Sequence, residues 1–398
     1  MPIPFRALPL SRLTQAALLS LALAGAAQAQ SLQEIYDMAK GYDAAYQAAR
    51  SQYSANLAKA DQGKAALLPG VALSGSATRS AREVDPTPNP VATNYSYTTQ
   101  SLGVNATQPL YRPANLATYR QSQKGLALAE AALQQAEQEL IVRVSQAYFD
   151  VLSAQDSLAF VQAQKAAVAE QLASAKRNFE VGTATITGVR DAQARFDLAT
   201  AQEIAGENDL RIKRLALDLA VGLSNAQPKR LANNSKLVEP PKEDVNAWVT
   251  LSEASSPAVR QAQLGLEIAS QEVNKATAGH KPTIDAQVSY SGIRNVDGSA
   301  TGATTSNHVF NPSAAVVLNM PLFAGFTTMY RVKETLALED KARSDYENAR
   351  RATAQATRTA YFGLMAGLSQ VKAYEAAEAS SQSALDANKL GYSVGVNI

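Results

Sequence analysis

Residues 113–182 read PANLATYRQSQKGLALAEAALQQAEQELIVRVSQAYFDVLSAQDSLAFVQAQKAAVAEQLASAKRNFEVG, and this stretch decides the fold. After Pro113 it holds no proline, and Gly125 is the one glycine before Gly182. At 1.5 Å per residue it predicts a single rod of roughly 100 Å, far longer than the helix of an ordinary globular domain. Apolar side chains step through it by threes and fours: Leu126, Ala129, Leu133, Ala136, Leu140, Val144, Ala147, Val151, Ala154, Leu158 and Val161. The steps skip Lys165 and resume with Val168, Leu172, Ala175 and Phe179. A seam of this kind is a heptad pattern and needs partner helices to bury it. The two successive four-residue steps at Ala136, Leu140 and Val144 form a stutter, which locally relaxes the left-handed supercoil. The small residues along the seam imply close packing.

Working outward from the rod, the chain repeats itself. Tyr148-Phe149 recurs as Tyr361-Phe362, a shift of 213. Phe179-Glu180-Val181-Gly182 recurs as Tyr392-Ser393-Val394-Gly395, and Ala65 to Pro69 recurs around Ala278 to Pro282, both with the same shift. Pro109-Leu110-Tyr111 recurs as Pro321-Leu322-Phe323, shifted by 212. The order predicted in each copy is a helix ending at a proline, two strands, a second proline, and a very long helix ending at a Val-Gly step. The first helices are expected over Asp43 to Leu67 and Ala258 to Ala278. In copy one a returning helix runs from Val189 to about Leu223, and a connector from Asn225 to Asp244 leads to copy two. The organisation is a leader at 1–29, a first repeat at 30–224, a connector at 225–246 and a second repeat at 247–398. The seam of copy two falls at Ala360, Leu364, Val371, Tyr374, Leu385 and Tyr392. The returning helix of copy one has no counterpart after Gly395, so the sequence reads as C-terminally incomplete.

The segments after Pro69 and before Pro109 alternate. Val71, Leu73, Gly75 and Ala77 share one side, with Ala72, Ser74, Ser76 and Thr78 on the other. Leu102, Val104 and Ala106 alternate with Ser101, Gly103, Asn105 and Thr107. Copy two repeats the pattern with Ile284, Ala286, Val288 and Tyr290 against Asp285, Gln287, Ser289 and Ser291, then Ala314, Val316 and Leu318 against Ala315, Val317 and Asn319. Dyad runs of about ten residues with small polar side chains on one side are what a strand between lipid and a water-filled lumen shows. Tyr95, Tyr97, Tyr290 and Phe310 lie toward the loop-proximal ends, where an aromatic girdle would sit. Four strands are fewer than the eight of the smallest single-chain barrels. Either they form a soluble sheet or several chains share one barrel.

The ends and the composition bound the function. Arg6 and Arg12, the apolar run Ala16 to Ala27 and Ala27-Gln28-Ala29 form a secretory leader, with the mature start at Gln30 or Ser31. No later stretch is apolar for long enough to be a transmembrane helix, so a membrane-spanning form has to be a closed β-barrel. Without Arg6 and Arg12 the basic and acidic residues stand equal at 35 each, which argues against a nucleic-acid partner. The absence of cysteine rules out disulfides, a thiolate nucleophile and a lipidated N-terminal cysteine. With His280 and His308 as the two histidines, a metal site is not expected. No phosphate loop or nucleophile motif occurs, so no catalytic or cofactor-binding residue is assigned. Asp43 and Asp61, like Glu137 and Glu139, read as solvated helix charges.

Several motifs together resemble the TolC family of outer-membrane channel-tunnels. They are Leu67-Leu68-Pro69, Gln108-Pro109-Leu110-Tyr111 with its echo Met320-Pro321-Leu322-Phe323, Ala147-Tyr148-Phe149, and the two tips, 179–187 and 391–395. The resemblance runs from about Ser31 to the last residue, and the doubled tip is its specific part. It implies a mainly helical homotrimer in the cell outer membrane, each chain giving four strands to a twelve-stranded β-barrel. Its long coiled-coil helices would form a periplasmic α-barrel. It also implies passive export, as multidrug efflux or type I secretion, with a periplasmic adaptor and an inner-membrane pump of RND, ABC or MFS type. Val181, Gly182, Thr183, Val394 and Gly395 would then be the adaptor-docking tips. The family closes its tips with polar links, and Tyr392 matches one such residue. The acidic position expected on the first tip holds Gly188 and the arginine position on the second holds Asn397, so Thr187, Arg190 and Asp191 are the nearby gate candidates. The competing reading is a coiled-coil envelope protein without a pore.

Overall fold

The computed structural model describes residues 30–84, 93–231, 244–298 and 305–394. The expected leader lies outside the described residues, as do 85–92, 299–304, most of the connector and 395–398. In chain order the elements are α1 (Leu32–Tyr42), α2 (Ala44–Ala65), β1 (Gly70–Val84), β2 (Thr93–Tyr111), α3 (Pro113–Glu180) and α4 (Ile186–Val221). After the connector come α5 (Val245–Ser255), α6 (Pro257–Thr277), β3 (Thr283–Val296), β4 (Asn307–Asn319) and α7 (Thr327–Ser393).

The duplication extends further than the sequence motifs. The 213-residue shift lays α1 on α5 and α2 on α6, with the break at Asp43 falling on Ser256. The sequence reading placed one helix in each position and missed α1 and α5. α1 opens with a capping box, in which Ser31 Oγ accepts from Glu34 N at 3.3 Å and Glu34 Oε2 accepts from Ser31 N at 2.7 Å. It stops at Asp43, which leaves the helical region at ψ 115° and accepts from Tyr46 N at 2.7 Å to start α2. In copy two the break comes from Pro257, which suits the first turn of α6 and disfavours helix at Ser256.

The chain divides into two compact units, residues 1–50 with 135–238 and residues 51–134 with 239–398. In the first, Ile35 of α1, Leu140, Val144 and Val151 of α3 and Leu217 of α4 are fully buried. Each such side chain contributes about 1.5–3 kcal/mol. Every seam residue predicted on α3 is buried or half-buried except Phe179 near the tip. Lys165 interrupts the seam because its ammonium pairs with Glu203 of α4 and lies 5.7 Å over the Phe196 ring. Asp43 and Glu137 are ion-paired, the first nearly buried and the second half-exposed. Arg143 Nη2 donates to Asp43 at 2.8 Å, and Lys40 Nζ donates to Glu137 at 2.7 Å, each joining separate helices. The Lys40 hydrogen bond holds the Glu137 carboxyl below its ordinary value and raises Lys40. Gln30 bridges in parallel to Pro228, and the Tyr148 hydroxyl donates to Lys229 O at 2.6 Å, so the start of the connector is fastened to this unit.

In the second unit α6 and α5 pack along α7. Glu272 of α6 accepts from Gln121 of α3 and Arg331 of α7, and Arg350 of α7 donates to Glu253 of α5 at 2.8 Å. The copy-two seam positions Ala360, Leu364, Val371, Tyr374 and Leu385 are exposed in the single chain, and the side chain of Tyr392 lies outside the described residues.

The same unit carries one antiparallel sheet in the order β1-β2-β3-β4. Its register sets Leu73 opposite Val104, Val104 opposite Tyr290, Val288 opposite Ala314 and Ala286 opposite Val316. All four strands therefore put their predicted apolar set on one face. Ser74, Ser76, Ser101, Asn105, Gln287, Ser289 and Ser313 line the other, where Ser76 bonds Ser101 at 2.8 Å and Ser289 bonds Ser313 at 2.7 Å. Tyr290 and Phe310 stack at 6.2 Å on the apolar face. Tyr97 departs from the expected girdle, because its partner Ser80 places it on the polar face. β1 and β4 pair on one side only within the chain and are exposed along both faces. No described helix is long and apolar enough to cross a membrane.

Candidate functional site: the helix tip and the strand–helix junction

The first tip is built by backbone hydrogen bonds. Gly182 has φ +77°, its N–H donates to Phe179 O at 3.0 Å, and Thr183 N–H donates to Asn178 O at 2.8 Å. These two bonds form a Schellman motif, which ends a helix with a left-handed residue and satisfies its last carbonyls. Three residues on, Thr185 caps α4 by accepting from Gly188 N at 3.3 Å and bonds the Thr187 hydroxyl at 2.8 Å. The turn presents Val181, which is 73% exposed, with the half-exposed Ile186 and exposed Thr183. A side chain at Gly182 would meet nothing within 4 Å, so the position demands glycine for its φ and not for space.

Of the gate candidates, Thr187, Arg190 and Asp191 are exposed on the first turns of α4. Asp191 is held by Arg195 of the same helix at 3.0 Å. Val394 is exposed and its N–H still donates helically to Leu390 O, whereas Gly395 lies outside the described residues.

A second constellation sits where strands become helices. Arg112, between β2 and α3, makes a two-pronged contact with Asp285 of β3, Nε to Oδ1 at 2.7 Å and Nη2 to Oδ2 at 2.6 Å. Asp285 is 6% exposed. Close by, Gln108 Nε2 donates to Leu67 O at 3.0 Å and Asn115 Nδ2 to Ala66 O at 2.6 Å, filling carbonyls that the end of α2 leaves open. In copy two the corresponding turn, Met320 to Phe326, has Gly325 at φ +58° and Phe326 at φ +63°, with Phe323 and Phe326 edge-to-face at 5.4 Å. The sequence reading missed the Arg112–Asp285 pair. Its one signal was an acidic residue at 285 on the strand, the lone carboxylate of β3.

Among the described residues no cluster of His, Cys, Asp or Glu could hold a metal ion. His280 and His308 are both exposed, the latter within β4.

The profile of the family described as "Outer membrane efflux protein" matches residues 35–223 and 248–397. The chain is 30% identical over 374 residues to the outer membrane protein TolC of Vibrio cholerae, covering 94% of this chain and 83% of that one. It is 28% identical over 389 residues to TolC of Escherichia coli K12, covering 95% and 77%. In fold it is similar to the crystal structure of the outer membrane protein VceC of Vibrio cholerae, with a TM-score of 0.75 and 17% identity over 92% of this chain and 87% of that one. Seam, doubled tip and alternating four-stranded sheet agree with these likenesses, and the chain belongs to the outer membrane efflux protein family, the TolC-type channels.

Proposed function

We propose that the protein is a passive export conduit whose helix tips, Val181, Gly182 and Thr183 with Val394 and Gly395, dock a periplasmic adaptor. As a family member it is an outer-membrane efflux and secretion channel with a periplasmic tunnel. Channels of this family assemble as trimers and work with adaptors and inner-membrane pumps. The class of pump, RND, ABC or MFS, is the finer part of the proposal.

The observation that carries the conduit reading is the sheet. It has an apolar face for lipid, a face of serines and asparagines for water, and two strands open for pairing with another chain. An envelope scaffold without a pore has no use for a polar inner face. Thr187, Arg190, Asp191 and Tyr392 are proposed as tip-gate residues. Asp191 would exchange its partner Arg195 for a group on a neighbouring coil when the gate closes.

The test is reconstitution of the purified protein in planar bilayers. Discrete conductance steps are expected, enlarged by variants that remove charge at Arg190 and Asp191. A bilayer that stays silent while the protein is inserted as a trimer would refute the conduit. Enlarged steps with unchanged adaptor binding by Gly182 variants would keep the conduit and refute the docking role.

A further inference from the structure

The duplication extends to the hydrogen-bond register of the sheet, and this gives information about an interface that the single chain does not contain. In the first hairpin Gly70 faces Thr107 and Thr78 faces Thr99. Shifting β1 by 213 and β2 by 212 turns these into Thr283 facing Asn319 and Ser291 facing Asn311, which are the pairs observed in the second hairpin. The two hairpins are the same object, residue for residue. They are joined to each other through β2 and β3, where Thr107 faces Gln287, Asn105 faces Ser289 and Gly103 faces Ser291.

A second copy of this chain would meet β4 with its β1. We infer that this junction repeats the β2–β3 register, so that Asn319 faces Ser74, Val317 faces Ser76 and Ala315 faces Thr78 of the neighbouring protomer. The inference rests on the trimeric barrel reading and adds its geometry. Two independent features point to this register. The first is face matching. Even positions of β4, such as Phe310, Ala314 and Val316, and odd positions of β1, such as Val71 and Leu73, lie on the apolar face. A slip of one residue would set lipid-facing side chains against lumen-facing ones along the whole strand. Every second register survives that test, and the internal repeat selects one of them. The second is that repeat, which sets Leu318 opposite Gly75 as it sets their counterparts Ala106 and Val288 opposite each other inside the chain.

The junction differs from its internal counterpart in one respect. The clamp between Arg112 and Asp285 maps onto Ala324 and Ala72, so the chain-to-chain seam carries no ion pair there. Its affinity comes from the ladder and the apolar face alone, and its stability is insensitive to salt at that point.

The chain has no cysteine, so paired cysteines report the register directly. Opposed residues in an antiparallel ladder lie about 4.5–5.5 Å apart at Cα, within the range a disulfide spans. Within one chain β1 and β4 are about 14 Å apart, with two strands between them, so no bond forms inside a protomer. The full chain carrying Ser76→Cys and Val317→Cys, or Ser74→Cys and Asn319→Cys, is oxidised in outer membranes and run on non-reducing gels, with native mass spectrometry alongside. Covalent dimers and trimers are expected from both pairs. They are expected to be absent from Ser74→Cys with Ala315→Cys and from Thr78→Cys with Asn319→Cys, four residues out of register. A native trimer that cross-links best through Ser74→Cys with Val317→Cys, or through either out-of-register pair, overturns the register and leaves the trimer standing. A chain that is not trimeric by native mass spectrometry removes the barrel reading and the register together.

Discussion

Replacing Gly182 by valine separates the two roles the tip glycine could have. The space around it is open, so no clash contributes and the cost is the backbone alone. Holding an L-residue in the left-handed region costs roughly 1–2 kcal/mol, with a β-branched side chain at the upper end. The tip could escape by unwinding, which gives up the bonds of Gly182 N to Phe179 O and Thr183 N to Asn178 O. Each is worth about 0.5–1.5 kcal/mol, so the loss stays within about 3 kcal/mol either way. Against the 5–15 kcal/mol of a typical domain this leaves the fold intact. Gly182→Asn is the informative partner, because asparagine tolerates positive φ and keeps the turn while adding a side chain to the surface. Export of a dye from cells lacking their own channel, with trimer yield measured in parallel, is the assay. If an adaptor reads the bare backbone, both variants lose export at normal trimer yield. If the glycine serves only the turn, valine impairs export and asparagine does not. Full export from both variants would refute any special role for the tip.

Arg112→Leu leaves the nearly buried Asp285 carboxylate without its partner, and because the guanidinium is partly exposed the expected loss is about 1–3 kcal/mol. Adding Asp285→Leu should recover part of it, read as the midpoint of thermal unfolding by circular dichroism. At Gly222, φ is +71° and an added Cβ would lie 2.4 Å from the Tyr42 ring, so Gly222→Ala should cost about 2–3 kcal/mol, with Tyr42→Ala removing the steric share. Glu137 is held below its ordinary value of 4.5 by Lys40, so the pair stabilises above that pH and loses its effect as pH falls through the depressed value. Half exposure limits the gain to under about 1 kcal/mol. Urea midpoints between pH 6 and pH 3 should therefore fall less steeply for Lys40→Met than for the parent chain.

The parts of this molecule legible in its sequence are those that repeat along the chain. Alternation in the strands and threes and fours in α3 placed the apolar face and the seam, because side-chain direction follows from backbone period alone. The first tip was visible because glycine in a left-handed cap, here Gly182, leaves a fixed mark. Contacts between distant segments left none. Arg112 and Asp285 are 173 residues apart, and nothing in either neighbourhood announces the other. Lys40 and Glu137 are paired by the packing of α1 on the rod, and α1 itself went unread although Ser31-Leu32-Gln33-Glu34 carries a capping-box pattern. Tyr97 was assigned to the girdle by its distance from the loop, where counting its parity against Leu102 would have put it on the opposite face.

The open borders of the sheet also bear on how the channel is made. A lone chain exposes two unsatisfied strands of 15 and 13 residues together with a greasy face, the combination that templates aggregation. In the trimer proposed above a single copy cannot pair its open borders before it finds the others, so insertion would depend steeply on local concentration, as for other obligate oligomers. Overproduction without matching escort capacity in the periplasm then diverts chains into strand-to-strand aggregates, and scarce synthesis leaves them waiting as substrates for proteases. The cell has to deliver this polypeptide in company.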